Sequence, residues 1–485
     1  MLTMPSLPGP RWTAQPRLLR TLLRTPEAVL DELSSSYGPI CGIGAGPLRI
    51  AVVGSPGLIR ELLMQPNDRF RYDTPLSPFP FVVGKRTMLA TDGDDHRRLR
   101  GSVQEAFSRR RLNQWIPLIV DRTDVAIDAV LADSTASADG HPIDLYPMGR
   151  RLLIEIVVRA IFGERLSAHT ETIDARFQRI QTYLSSPLYR QIPHPLPFTR
   201  RSRVRADRVA LDQMIDGAIA DSRRIPLVEP RDVLDVLAQR DDLDDAEIRD
   251  QVKTVIGAGY DTTASSLAWM LWESTLQPGL WSRLRAEADA ALGLPGSGVT
   301  PDNASLTALA LAARTMRETL RLHPASGIAV RESAVALELG GYTIRRGTLM
   351  AWSPYLAGRD PATWTDPLRF DPDRFVDLDE PQRAAADIAW VPFGRGPRMC
   401  LGFALAQMEL TLIIARVAQR LDLTPVATSP PAASGLVVSK PVGGVPVRVR
   451  ARDDVSVVSE AAAVVATRNS GADAADDFVP DRAEG

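Results

Sequence analysis

The chain has 485 residues, 45% of them hydrophobic and 24% charged, the balance of an ordinary globular protein long enough for a substantial core. A formal net charge of −2 excludes a global electrostatic pull toward nucleic acid or an anionic membrane, so no nucleic-acid partner is expected. Two cysteines, Cys41 and Cys400, exclude a disulfide framework, and neither CxxC nor HExxH occurs.

In chain order, residues 1–24 read as an N-terminal extension. Arg17, Arg20 and Arg24 interrupt "PRLLRTLLRTP", so no signal-peptide core is present. No run of 18 apolar residues occurs, so no transmembrane segment is expected and a reducing, cytoplasmic compartment is. Leu18, Leu19, Leu22 and Leu23 form an amphipathic stretch that in the usual case packs on the protein itself and in the minority case rests on a membrane surface.

"TPEAVLDELSSSYG" predicts a helix with Thr25 as N-cap, Pro26 at the first helical position and Gly38 at the stop. "PICGIGAGPLRIAVVG" predicts two short strands around a glycine turn, which makes Cys41 a buried, unreactive thiol. Beyond Asp94 the 3.6-residue period dominates, as in "RLLIEIVVRAIFG" and "ALDQMIDGAIADSRR". Strand-like pieces return at "ALELGGYTIRRGTLMAW" and "GLVVSKPVGGVPVRVR". The expected class is mainly α with a smaller β region, in a single domain over residues 25–452. Residues 453–485, rich in alanine and acid, predict a disordered tail.

Three stretches carry chemistry. "DDAEIRDQVKTVIGAGYDTTASSLAWMLWESTLQPG" predicts one long helix, with a capping box at Asp244 and Glu247 and a stop at Pro278-Gly279. Gly257 and Gly259 at its centre each cost about 0.5–1 kcal/mol relative to alanine. Beside Asp261, Thr262 and Thr263 they predict a groove for a flat ligand against bare backbone; helix–helix packing is the alternative. Glu318 and Arg321 share a helix face, and Arg374 in "RFDPDRF" can join the same carboxylate. Cys400 stands in "VPFGRGPRMCLG". Taken alone it is open between a core thiol, a nucleophile and a metal ligand, though no His–Asn/Asp constellation supports the nucleophile.

Taken together, "FGRGPRMCLG", "AGYDTT", "ETLR", "DPDRF" and "HRRLR" give the chain a resemblance to the cytochrome P-450 haem-thiolate monooxygenases of the bacterial soluble type, over about residues 25 to 452. The resemblance implies a fold in which haem is held between the long central helix and the helix following the Cys loop. It makes Cys400 the axial thiolate of haem iron. It assigns cofactor binding to His96 (where many members carry tryptophan), Arg100, Arg331, Phe393, Arg398, Cys400 and Gly402. Glu318, Arg321 and Arg374 become structural support for the haem loop. Thr262 becomes the hydroxyl that hydrogen-bonds dioxygen, and Asp261 the proton-relay acid.

The pocket implied is Phe79, Phe81, Val82, Met88, Ile256, Ala258, Ala325, Ile328, Val330, Leu436 and Val437. The resemblance implies haem b (iron protoporphyrin IX) as cofactor, with O2 and NAD(P)H-derived electrons as co-substrates. It implies insertion of one oxygen atom into a hydrophobic small molecule by hydroxylation or epoxidation. It further implies electrons delivered through a ferredoxin or flavodoxin and a reductase, steered by Arg97, Arg98 and Arg109 to Arg111, to a monomeric enzyme. A peroxide-using or non-oxygenating haem-thiolate enzyme, and a haem-dependent binding or sensing protein, are the alternatives; the retained acid–alcohol pair disfavours them.

Overall fold

The computed structural model describes residues 6–11, 13–22, 25–44, 49–74, 77–136, 141–186, 191, 194, 196–224, 229–435 and 437–452. The expected tail over 453–485 and the expected pocket residue Leu436 lie outside them. The fold is mainly α with a smaller β region.

The helices that matter below are α1 (Gln15–Leu22), α2 (Pro26–Tyr37), α3 (Gly93–Ala106), α4 (Leu145–Phe162), α5 (Thr170–Leu184), α6 (Arg200–Arg224), α7 (Asp245–Leu276), α8 (Ala310–Leu322) and α9 (Phe403–Arg420). Five strands, β1 (Ile40–Ile43), β2 (Ile50–Val53), β3 (Phe70–Arg71), β4 (Ala329–Ser333) and β5 (Leu349–Trp352), make one sheet in the order β1-β2-β5-β4-β3. Only β2 and β5 pair in parallel, with Ile50 opposite Leu349. That pairing sets the N-terminal hairpin beside the segment that follows α8.

The 32-residue α7 runs through the main core and packs most extensively on α4. Its start follows from sequence. Asp244 accepts from the Glu247 N–H and the Glu247 side chain accepts from the Asp244 N–H, a complete capping box. Helix α2 begins at Pro26 and stops at Gly38, whose φ of 87° suits glycine. Thr25, expected as its N-cap, makes no side-chain capping bond.

Helix α1 folds back on α2. Leu18 is buried in a cluster with Val29, Leu30 and Leu33, and Arg17 pairs with Glu32 at 2.6 Å. The apolar side of this amphipathic stretch is thus spent, at Leu18, on the protein's own core. Cys41 is buried in the same cluster, and burial pushes its thiol up to about 11, consistent with an inert group. Among the described residues no helix is long and apolar enough to cross a membrane.

Candidate active site

The support for the Cys loop is a buried ionic pillar. Helix α8 presents Glu318 and Arg321 three residues apart, both fully shielded from solvent. Arg321 Nε donates to Glu318 Oε2 at 2.8 Å and Nη2 to Oε1 at 2.9 Å. Arg374 Nε donates to Glu318 Oε1 at 2.8 Å, and the Asp371 N–H adds a fourth bond at 2.8 Å. The remaining guanidinium N–H groups reach the carbonyls of Gly358, Pro367, Arg369 and Thr365. Every charge here has partners, as a buried salt bridge must if it is to persist.

Cys400 follows a loop whose Gly394 and Gly396 take φ of 68° and 73°, a region that side chains other than glycine rarely adopt. Its N–H donates to Phe393 O at 2.8 Å, closing the loop immediately before α9. The Phe393 ring packs edge-on against Phe403 at 4.8 Å and lies 5.8 Å from Trp390. Cys400 keeps accessible surface although protein atoms crowd round it.

Burial pushes the Cys400 thiol up, and the Gly402 and Phe403 N–H groups with Arg100 oppose it without cancelling it. A bound metal cation would add positive charge that favours the thiolate there.

Cations gather beside the loop. Arg398 reaches Met88 O at 2.9 Å, Thr91 O at 2.6 Å and Asp92 Oδ1 at 2.7 Å, and its guanidinium lies 4.0 Å over the Tyr72 ring. Arg100 donates to Met399 O at 2.8 Å. Arg331, on β4, is buried over the Phe70 ring at 3.8 Å. His96 is also buried; desolvation first, then Arg398 and Arg100, hold its imidazole down to about 4 against the pull of Asp92. It is thus a neutral donor, and the cationic donors number three rather than four. Arg331, Arg398, Tyr72 and Val330 line a cavity of about 100 Å³.

These residues fit haem. Of these three guanidiniums Arg398 alone pairs with a carboxylate, Asp92, among the described residues, and Arg331 Nε and Arg398 Nε are buried without partners there, a surplus suited to a group bearing two carboxylates. A Cβ on Gly402 would meet no protein atom within 4 Å, and its φ of −79° is open to any residue, so nothing in the protein itself asks for glycine there. A flat group against bare backbone does.

On α7 the glycines do not open the expected groove. A Cβ on Gly257 would come 3.1 Å from the Phe177 ring of α5, and one on Gly259 would come 3.5 Å from Val157 of α4. They serve close helix packing, and α7 runs on unbroken. The face left accessible carries Ala258 and Thr262, one turn apart, with Thr262 Oγ1 donating to Ala258 O at 2.7 Å. Asp261 points elsewhere. It is buried, and its Oδ1 accepts from Lys440 Nζ at 2.8 Å.

The other expected pocket residues divide. Phe79, Phe81, Met88, Ala325 and Val437 are partly buried, while Val82 and Ile256 lie inside the main core. Val330 is half exposed, and Ile328 packs against the α2 cluster. Phe81 is clamped by α6: the Arg201 guanidinium sits 3.7 Å over its ring and Arg208 donates to its carbonyl at 3.1 Å. The expected basic docking patch is thinner than the sequence implies, because Arg98 is turned inward onto Glu247 at 2.6 Å; Arg97, Arg109 and Arg110 remain at the surface. Tyr72, Asp92, Tyr146 and Lys440 join the site without any sequence signal, since none belongs to a spaced motif.

A helical body with a buried Glu–Arg–Arg pillar, a glycine-rich cysteine loop and a cationic rim defines a haem-thiolate protein. The family model for cytochrome P450 matches residues 5–444, and the chain belongs to that family. Cyclooctatin synthase of Streptomyces melanosporofaciens is 31% identical over 84% of this chain and 87% of its own length. Pentalenene oxygenase of Streptomyces avermitilis is 30% identical over 83% and 88%. The solved structure of retinoic acid bound cyanobacterial CYP120A1 superposes with a TM-score of 0.79 at 22% identity, covering 93% of this chain and 99% of that one, a likeness of fold. The chain is accordingly an oxidoreductase of the oxygen-incorporating P450 class, and the family implies haem.

Proposed function

We propose that this enzyme inserts one atom of O2 into a terpene hydrocarbon or terpene alcohol, with NAD(P)H-derived electrons delivered by a separate ferredoxin or flavodoxin and its reductase. Membership of the family and the relatives named for cyclooctatin and pentalenene chemistry support this substrate class. The observation that carries the reading is an accessible Cys400 at the head of α9 beside buried guanidinium groups. The overall balance is one O2, one substrate C–H bond, two electrons and two protons, giving one C–OH group and one water.

Cys400 Sγ would hold haem, with Arg100, Arg331 and Arg398 available to its carboxylates, and the group would supply the electron-transfer and oxygen chemistry. The Phe393–Trp390–Phe403 cluster keeps water from the sulfur. The Gly402 and Phe403 N–H groups face Cys400 and stabilise its anionic form. Thr262 Oγ1, now bonded to Ala258 O, is free to turn and pass a proton on the accessible face of α7. Asp261, held at Oδ1 by Lys440, is the acid assigned to the next step of proton transfer. Arg97, Arg109 and Arg110 offer an acidic redox partner its landing charge.

The test is spectral. Reduced holoprotein with carbon monoxide is expected to show the strongly red-shifted Soret band of thiolate ligation, and Cys400→Ser to lose it; an imidazole-type spectrum in the wild type would sink the assignment. A screen of terpenes, fatty acids, steroids, polyketides and aromatics for Soret shifts tests the substrate class, and a response confined to non-terpenes rejects it.

A further inference from the structure

Just ahead of α6 the chain holds its two large apolar side chains out to solvent. Phe198 is 91% exposed, the most open of the large apolar side chains among the described residues, and Leu196, two positions earlier, is 61% exposed. An aromatic ring left in water forgoes the stabilisation that burial brings, and neighbouring exposed apolar groups mark contact surfaces.

The surrounding structure fixes this presentation. Phe198 takes a φ of 62°, a left-handed conformation that bulky side chains rarely adopt. Directly after it, Thr199 and Ser202 cap the first turn of α6 reciprocally. The Thr199 N–H donates to Ser202 Oγ at 3.0 Å, and the Ser202 N–H to Thr199 Oγ1 at 3.2 Å. On the inner side of the same turn, Arg201 Nη1 donates to Tyr183 Oη of α5 at 2.6 Å, and Val204 is buried. The start of α6 is thus held by its cap and by α5, while Leu196 and Phe198 stay outside. Backbone strain of this kind persists where neighbouring contacts over-determine it, and it collects at functional surfaces.

The free charges beside the ring have one sign. Arg200, Arg203 and Arg205 are exposed and form no ion pair among the described residues. The acid of this stretch, Asp207, is buried and taken by Arg176 and Arg179 of α5. Val209, 47% exposed, extends the apolar surface one turn beyond Arg205. The chain as a whole carries a net charge of −2, so this positive surface is a local feature. Apolar side chains flanked by guanidiniums match an anionic bilayer, where rings enter the acyl boundary and the cations stay among the phosphates. A protein partner would need a pocket shaped to one ring and rimmed by acids; a fluid acyl layer needs no matching shape.

We propose that Leu196, Phe198, Arg200, Arg203 and Arg205 form a docking surface for an anionic lipid bilayer, with Phe198 inserted below the headgroups. Neither haem nor substrate takes part, so the docking stands apart from the monooxygenase reading. Its bearing on the site is geometric. Arg201, in the same turn of α6, lies 3.7 Å over the ring of Phe81, so the docked face adjoins one of the expected pocket side chains.

The test is co-sedimentation of the holoenzyme with vesicles of phosphatidylcholine alone, or of phosphatidylcholine and phosphatidylglycerol in equal parts. Binding to the mixed vesicles is expected to exceed binding to the neutral ones about tenfold and to fall steeply with added salt. Phe198→Ser combined with Leu196→Ser is expected to weaken it about tenfold. Arg203→Gln combined with Arg205→Gln is expected to weaken it about twentyfold, on the mixed vesicles only. Phe198→Trp keeps an aromatic ring at the tip; it is expected to bind like the wild type, with indole emission that shifts to the blue and is quenched by brominated acyl chains. The carbon monoxide spectrum of each variant reports that the fold is retained, and the arginine pair and Phe198→Trp carry the test if the serine variant does not fold. Wild-type protein that stays in solution beside mixed vesicles overturns the proposal, as does undiminished binding in both double variants or an unquenched Phe198→Trp protein. Self-association without vesicles that Phe198→Ser abolishes would assign the surface to a second copy of the chain and overturn the lipid reading.

Discussion

Two buried carboxylates on two helices of this protein are treated in opposite ways. Glu318 is bonded at both oxygens, by two guanidiniums and a backbone N–H, and the surplus donors of those guanidiniums end on carbonyls. Asp261 accepts from Lys440 at Oδ1, and its Oδ2 is among the buried atoms without a hydrogen bond in the described residues. A saturated network is stiff, since any movement costs several bonds at once. An unsaturated one is expensive in a purely structural role and useful where protons or solvent must pass. The first region holds the Cys loop still, and the second is poised to exchange.

Substitutions break or sharpen this contrast. The largest effect is expected at the pillar. Glu318→Gln leaves Arg321 and Arg374 buried without their countercharge, a loss of roughly 3–5 kcal/mol in urea unfolding and of haem retention during purification. A wild-type midpoint would show that the pillar is not the stiff half of the pair.

An intermediate effect belongs to His96. Its folded value near 4 lies below the 6.5 of a free imidazole, so the unfolded chain takes up this proton first as pH falls. The contribution is complete above about pH 6.5 and is lost as pH falls toward about 4, on the order of 3 kcal/mol in all. Thermal unfolding of His96→Gln is expected to show a shallower acid-side decline than the wild type; parallel declines would refute the assignment.

A smaller effect is expected among the unpaired polar atoms beside α7. Tyr260→Phe removes a hydroxyl that has no hydrogen-bond partner among the described residues, so stability is expected to stay within about 1 kcal/mol of the wild type. A loss as large as that at Glu318 would make the cluster structural after all. The smallest effect separates the two α7 glycines. Gly259→Ala, whose Cβ makes only ordinary contact with Val157, is expected to raise stability by about 0.5–1 kcal/mol. Gly257→Ala, pressed against Phe177, is expected to forfeit that gain.

The pillar was legible in the sequence because its logic is local. Glu318 and Arg321 are one helical turn apart, and the 3₁₀ turn Pro372–Phe375 that carries Arg374 announces itself by proline. The α7 capping box is legible for the same reason. The glycine pair misled because a missing side chain looks alike to a ligand and to a neighbouring helix; only the positions of Phe177 and Val157 separate the two. Lys440 was invisible, standing 179 residues from Asp261 in an unremarkable strand-forming stretch. Arg98 misled for a related reason, since charge read along the chain does not tell which way a helix face turns.

The sequence by itself determined which segments become helices, where α7 and α2 begin, and which cysteine sits among glycines and arginines before a helix. These follow from propensity, capping and spacing, which act over a few residues. Only the tertiary structure decided that the α7 glycines face helices, that Ala258 and Thr262 keep the accessible face, that Asp261 turns to Lys440, and that burial outweighs the helix N-terminus at Cys400. Those outcomes depend on desolvation and on contacts between distant segments, and both exist only once the chain has closed on itself.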